Sequence, residues 1–162
     1  MKSALVVMSV AIALTACSET DTSSEAPELT EEYGCGFGFY VGDADQTTGL
    51  FVFYEDMSGA MAGDVVETAD LPSESWRAVL DEGSDLFANW CDDVLEPDEP
   101  TPEVVETWEV SGSIEVVSLP EAGQCGPATA QLTDLVATDS EGATMSLGDL
   151  ELTNESWGCL AG

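Results

Sequence analysis

No histidine occurs in this chain, and its basic side chains are Lys2 and Arg77 alone, so carboxylates, cysteines and tryptophans must carry any chemistry. A serine or cysteine nucleophile would lack an imidazole base. Calcium is the first chemistry to test, because hard cations need only oxygen ligands. A twelve-residue calcium loop starting at Asp43 requires Gly at its sixth position and Glu at its twelfth. Those places hold Thr48 and Tyr54, so the match fails. Looser groupings are left, Asp43 with Asp45 in one turn and Asp92 with Asp93, near Asp98 and Glu99, in another. With so many carboxylates, neighbours of this kind are expected as solvated loops; calcium is the minor reading, and no other cofactor is implied. Paired carboxylates can also hydrolyse glycosides, but no pair stands out. Trp76, Trp90, Trp108 and Trp157 could form a sugar platform; aromatic residues next to cysteines, as Trp90 and Trp157 nearly are, more often fill a core.

The N-terminus is organised for export. Lys2 precedes an apolar run from Ala4 to Leu14 broken only by Ser9. The run is shorter than the roughly 20 apolar residues of a membrane-spanning helix. Charge, apolar stretch and small residues in that order make an export signal. Its end, Leu14-Thr15-Ala16-Cys17, resembles the lipobox of bacterial lipoproteins. The resemblance implies diacylglyceryl attachment to the Cys17 sulfur and cleavage before it. It covers residues 1–17 only. Two acyl chains are what stable anchoring takes. Ser18 rather than Asp after the cysteine leans toward the outer membrane where a second membrane exists. The expected localisation is the cell envelope, outside the cytoplasm, with the membrane as a partner through lipid.

With Lys2 in the signal, Arg77 alone faces 33 Asp and Glu, and the whole chain carries a formal charge of −31. Nucleic acid binding relies on Lys and Arg to neutralise phosphates, so nucleic acid is excluded as a partner. Anionic headgroups would repel the domain as well, leaving Cys17 as the membrane contact. Cations are favoured electrostatically. The simplest role of the charge is solubility, which predicts that salt stabilises the domain by screening its self-repulsion. Arg77 could orient an anionic ligand or pair on the surface.

The elements that must position these residues follow from pattern. Residues 17–32 are Ser-, Thr-, Glu- and Pro-rich and read as a disordered tether, so the domain is expected over residues 33–162. Phe37, Phe39 and Val41 alternate with Gly36, Gly38 and Tyr40, a strand signature. Leu50 to Tyr54 is apolar throughout, as in a strand buried on both faces, and the turn over residues 42–49 joins the two. A weaker strand is expected at 64–68. Residues 70–83 admit a helix capped by Asp70 or a strand with Trp76, Ala78 and Leu80 on one face; in an otherwise β chain we read a strand. Leu86 to Cys91 reads as a short strand. The prolines of residues 92–103 forbid a helix or central strand there. Strands are expected at 106–110 and 113–119, with Gly112 a bulge, and at 128–138 and 144–153 around the turn Asp139-Ser140-Glu141-Gly142. About eight short antiparallel strands imply an all-β, disulfide-stapled β-sandwich.

Cys35, Cys91, Cys125 and Cys159 remain once Cys17 is set aside, an even number as exported domains use. Zinc is disfavoured because no closely spaced cysteine pair and no histidine exist. Four cysteines allow three pairings. Cys125 and Cys159 lie almost equally far from the last turn, so the open end of that hairpin would bring them together, leaving Cys35 for Cys91. The segments beginning Cys35-Gly36-Phe37-Gly38-Phe39, Asn89-Trp90-Cys91-Asp92-Asp93 and Trp157-Gly158-Cys159 give the domain a layout similar to small secreted bacterial β domains with no assigned activity. The expected function is thus a lipid-anchored, acidic, non-enzymatic envelope module with a protein or glycan partner. A calcium-dependent or carbohydrate-binding module is the alternative, and a carboxylate-based hydrolase the second.

Overall fold

The computed structural model describes residues 26–88, 90–91 and 99–159. The signal, Cys17, most of the expected tether, and Asp92 and Asp93 lie outside the described residues. The chain forms β1 (Glu31–Tyr33), β2 (Gly38–Gly42), β3 (Thr48–Tyr54), α1 (Met57–Ala62), β4 (Thr68–Leu71), β5 (Trp76–Ser84), β6 (Glu103–Ser118), β7 (Gly126–Thr138) and β8 (Thr144–Trp157). All eight strands are antiparallel and belong to one sheet, ordered β1-β2-β3-β5-β6-β7-β8, with β4 paired to β6 beside β5. The expected all-β, doubly stapled architecture is therefore present, its layers made by one sheet that curls until its ends meet.

The first hairpin forms as the alternation predicts. Phe39, Val41, Leu50 and Val52 point inward with no more than 2% exposure. In the turn, the Asp43 carboxylate accepts from the Thr47 N–H at 2.7 Å and the Thr48 N–H at 3.1 Å, and also from the Thr47 hydroxyl. The ambiguous 70–83 stretch is strand: Trp76, Ala78 and Leu80 face inward from β5.

Three expectations need correcting. The two strands expected at 106–119 are one 16-residue strand, long enough to pair with β5 along its first half and with β4 along its second. The sheet register does slip at Gly112, but the extra residue sits opposite. From Ser111 to Ser113 the partners run from Val136 to Thr133, and Asp134 takes φ 54°. Gly112 itself has φ 146°, and a Cβ there would lie 2.7 Å from the Thr133 carbonyl oxygen. Finally, the described residues of the expected strand at 86–91, which are 86–88, 90 and 91, are turns. Ala88 N–H donates to Asp85 O and Trp90 N–H to Phe87 O, three residues back each time, and Asp85 and Cys91 have positive φ. The apolar residues there are spaced to lie along one side of a coil rather than to alternate.

Two further elements differ in place. The 64–68 strand appears slightly later, as β4, and α1 precedes it unforeseen. Asp56 caps α1 by accepting from the Gly59 N–H at 3.0 Å, and Gly63 ends it in the left-handed conformation (φ 83°). At the N-terminal side, Glu31 and Glu32 belong to β1 rather than to the tether, Thr30 N–H donates to Gly42 O, and Leu29 packs on the core.

The curled sheet is closed at one seam. Gly36 bridges Trp157; Gly36 N–H donates to Cys159 O and Gly158 N–H donates to Gly36 O, both at 2.9 Å. Asn154, fully buried, donates through Nδ2 to Gly38 O at 2.7 Å while its Oδ1 accepts from the Ser156 N–H. Leaving either amide group unpaired here would cost about 1–3 kcal/mol, so Asn154 works as a latch. Disulfides join Cys35 to Cys91 and Cys125 to Cys159, the expected pairing, with Cα separations of 5.7 and 4.9 Å.

Candidate functional site

The closure leaves a cavity of about 530 Å³ at the seam end of the sheet. Three stretches far apart in sequence build it. The helix α1 and the chain after it contribute Ala60, Met61 and Val65; the β6–β7 loop contributes residues 119–124; the seam contributes Phe37 and Trp157. Phe37 stands edge-on to Trp157, ring centroids 5.6 Å apart, and both rings are core members whose ends floor the cavity.

Each wall has its own support. The Tyr54 hydroxyl donates to Asp64 O at 2.9 Å and accepts from the Val66 N–H, and Trp76 Nε1 donates to Val66 O at 2.7 Å. These bonds fix the chain between α1 and β4. The opposite loop is tied by Cys125–Cys159 and by a turn in which Gln124 N–H donates to Glu121 O. Polar groups sit at the rim: Glu67, Glu121 and Gln124 are exposed, and Gln124 Nε2 donates to the Glu121 carboxylate at 2.9 Å. Glu67 and Glu121 thus both line one concavity. Both glutamates are exposed.

The residues singled out from sequence fall elsewhere. Asp43 and Asp45 lie in the β2–β3 turn, and neither lines the cavity. Burial pushes the Asp43 carboxyl up, but hydrogen bonds from Thr47 and Thr48 outweigh it and hold the group below its ordinary value. Its oxygens therefore serve the turn. Among the described residues no group of three or more His, Cys, Asp or Glu could hold a metal ion. Trp76, Trp108 and Trp157 are buried and Trp90 half-buried, so none offers a flat exposed face to a sugar. The indole N–H groups of Trp90 and Trp108 meet no acceptor among the described residues. Arg77 is exposed on β5, opposite Phe53, and is not among the cavity's residues. Asn154, whose Asn-Glu-Ser sequence matches a glycosylation acceptor, is buried in the seam.

Sequence reasoning missed the cavity entirely. A local signal existed only for one wall, the Asp56 cap followed by Gly63, which together mark a short helix.

The fold and site define an all-β, disulfide-stapled domain with a cavity of mixed polar and apolar lining at the closed end of its sheet. No family model, curated protein or solved structure matches the chain.

Proposed function

We propose that this chain is an exported, lipid-anchored envelope protein whose domain binds a small ligand in the seam-end cavity without transforming it. The cavity carries the binding part of this reading. Its volume lies within the range typical of ligand pockets, roughly 300–1,000 Å³, and its lining combines an apolar floor with polar groups in about equal share. The anchoring part is supported by Leu14-Thr15-Ala16-Cys17 and by two disulfides, which persist in oxidising compartments. The tethered domain would present the cavity to molecules in the envelope space.

Two measurements test the two parts. Metabolic labelling with palmitate and membrane fractionation should show label and membrane retention for the native chain and neither for Cys17→Ser; a mutant still retained after cleavage would overturn the anchor. For the cavity, Ala122→Trp places a large ring at its exposed wall. A small apolar probe that quenches tryptophan fluorescence should bind the native chain and bind the variant at least tenfold more weakly, with unchanged melting temperature. Equal binding by both would overturn the site.

A further inference from the structure

The geometry points to a ligand class for this cavity: a compact apolar molecule carrying a positive charge, such as an arylalkyl quaternary ammonium or amine. This rests on the binding reading above and goes one step further, to the charge of the ligand.

Three observations converge on it. The floor is apolar, made by the ring edges of Phe37 and Trp157, and takes up the hydrocarbon body of a ligand. The rim charges are carboxylates from two different loops, Glu67 and Glu121. Among the described residues no basic side chain lines the cavity, and the chain as a whole carries −31. An anionic ligand would bring its charge into this field with no partner. A neutral ligand would gain the apolar floor but nothing from the rim. A cation with an apolar body gains both, because its body reaches the floor while its charge lies at the rim carboxylates. Gln124, which holds the Glu121 carboxylate at 2.9 Å, acts as a positioning residue for that rim.

Three probes sharing one phenylpropyl body separate the possibilities: phenylpropyltrimethylammonium, its neutral analogue with carbon in place of nitrogen, and phenylbutyrate. Binding to the full chain carrying Cys17→Ser is read by calorimetry. The cation should bind about tenfold more tightly than the neutral probe, since two exposed carboxylates contribute modestly. Phenylbutyrate should bind most weakly. The preference should shrink toward parity in molar NaCl, where screening acts within a few ångströms. Glu67→Gln with Glu121→Gln should remove most of it. Glu103→Gln with Glu106→Gln removes the same charge from the far end of β6, roughly 40 Å along the strand, and should leave it intact. Equal binding of cation and neutral probe, both blocked by Ala122→Trp, would overturn the cationic class and keep the cavity. An equal loss from the distal pair would overturn the rim assignment. Absence of binding by all three probes would overturn the cavity reading itself.

Discussion

The molecule has two hydrophobic clusters built on opposite principles. The inner one is enclosed by the curled sheet and draws alternate residues from almost every strand, among them Phe39 and Val52, Trp76 and Leu80, Ile114 and Leu132. The outer one lies on the other face of β2, β3 and β5, where Tyr40, Phe51 and Val79 are covered by Leu86 and Phe87 from the turns after β5, with Trp90 packed against them. Phe51 and Phe87 stack at 4.9 Å and Trp90 meets Tyr40 edge-on at 4.8 Å. The inner cluster is held by the ladder itself. The outer one is held by a covering segment whose ends are fixed by Leu86 N–H donating to Gln46 O and by the Cys35–Cys91 bond. Enclosure by the sheet needs every strand. A cover needs one pin.

The largest effect should come from breaking the inner cluster. Trp76 is wholly buried, packs on Phe39, Tyr54 and Trp157, and donates to Val66 O. Trp76→Ala should cost about 5 kcal/mol, the top of the range for such truncations, and lower the denaturation midpoint for every probe at once. A loss under about 2 kcal/mol would show that the two clusters do not differ as described.

Removing the pin should cost somewhat less and act unevenly. Cys35 and Cys91 are 56 residues apart, and opening a loop of that size costs up to about 4 kcal/mol through the unfolded chain. In Cys35→Ser with Cys91→Ser, amide exchange should accelerate at Leu86, which anchors the cover, well before it does at Val52. Uniform acceleration would mean the cover is not a separate unit.

Alkaline pH offers a third test. Burial pushes the Tyr40 phenol up from 10.0 to about 12. A raised folded pKa gives stability that is complete below pH 10 and is lost as pH rises toward about 12, since only the unfolded chain ionises readily. That difference corresponds to about 2–3 kcal/mol. Denaturant titrations across that window should show this leg, and Tyr40→Phe should remove it.

The smallest effect belongs to the turn that joins β2 to β3 between the clusters. Asp43→Ala should cost about 1 kcal/mol, a net value for its hydrogen bonds in a solvent-screened turn. The folded carboxyl lies below its ordinary value of 3.8. Its contribution is therefore present above that pH and vanishes as pH falls through the folded value, so native and variant melting temperatures should converge in acid.

The clusters also explain what the sequence made legible. Period-two alternation exposed the inner face directly, and the unbroken apolar run Leu50–Tyr54 announced a strand covered on both sides. Distances from the last turn were enough to pair the cysteines. What covered the outer face was harder, because Leu86, Phe87 and Trp90 are too few to show a period and their turns depend on positive φ at Asp85 and Cys91. Merging two expected strands into β6 required knowing that Gly112 could remain in the ladder while Asp134 absorbed the slip. The cavity left no trace in any local pattern. Its residues acquire a common purpose only when the seam brings residues 37, 61, 121 and 157 to one end, and that depends on the topology of the whole sheet.

β1 has a mechanical consequence. If the domain is held from its N-terminal side, any pull enters through a three-residue strand whose partner is β2. Those few bonds can give way, adding slack to the line. The unravelling then reaches Cys35, whose bond to Cys91 passes the load to the covering segment and the strands beneath it. The domain would carry a short sacrificial extension ahead of a hard stop, so that tugging on its leash lengthens the leash before it deforms the body.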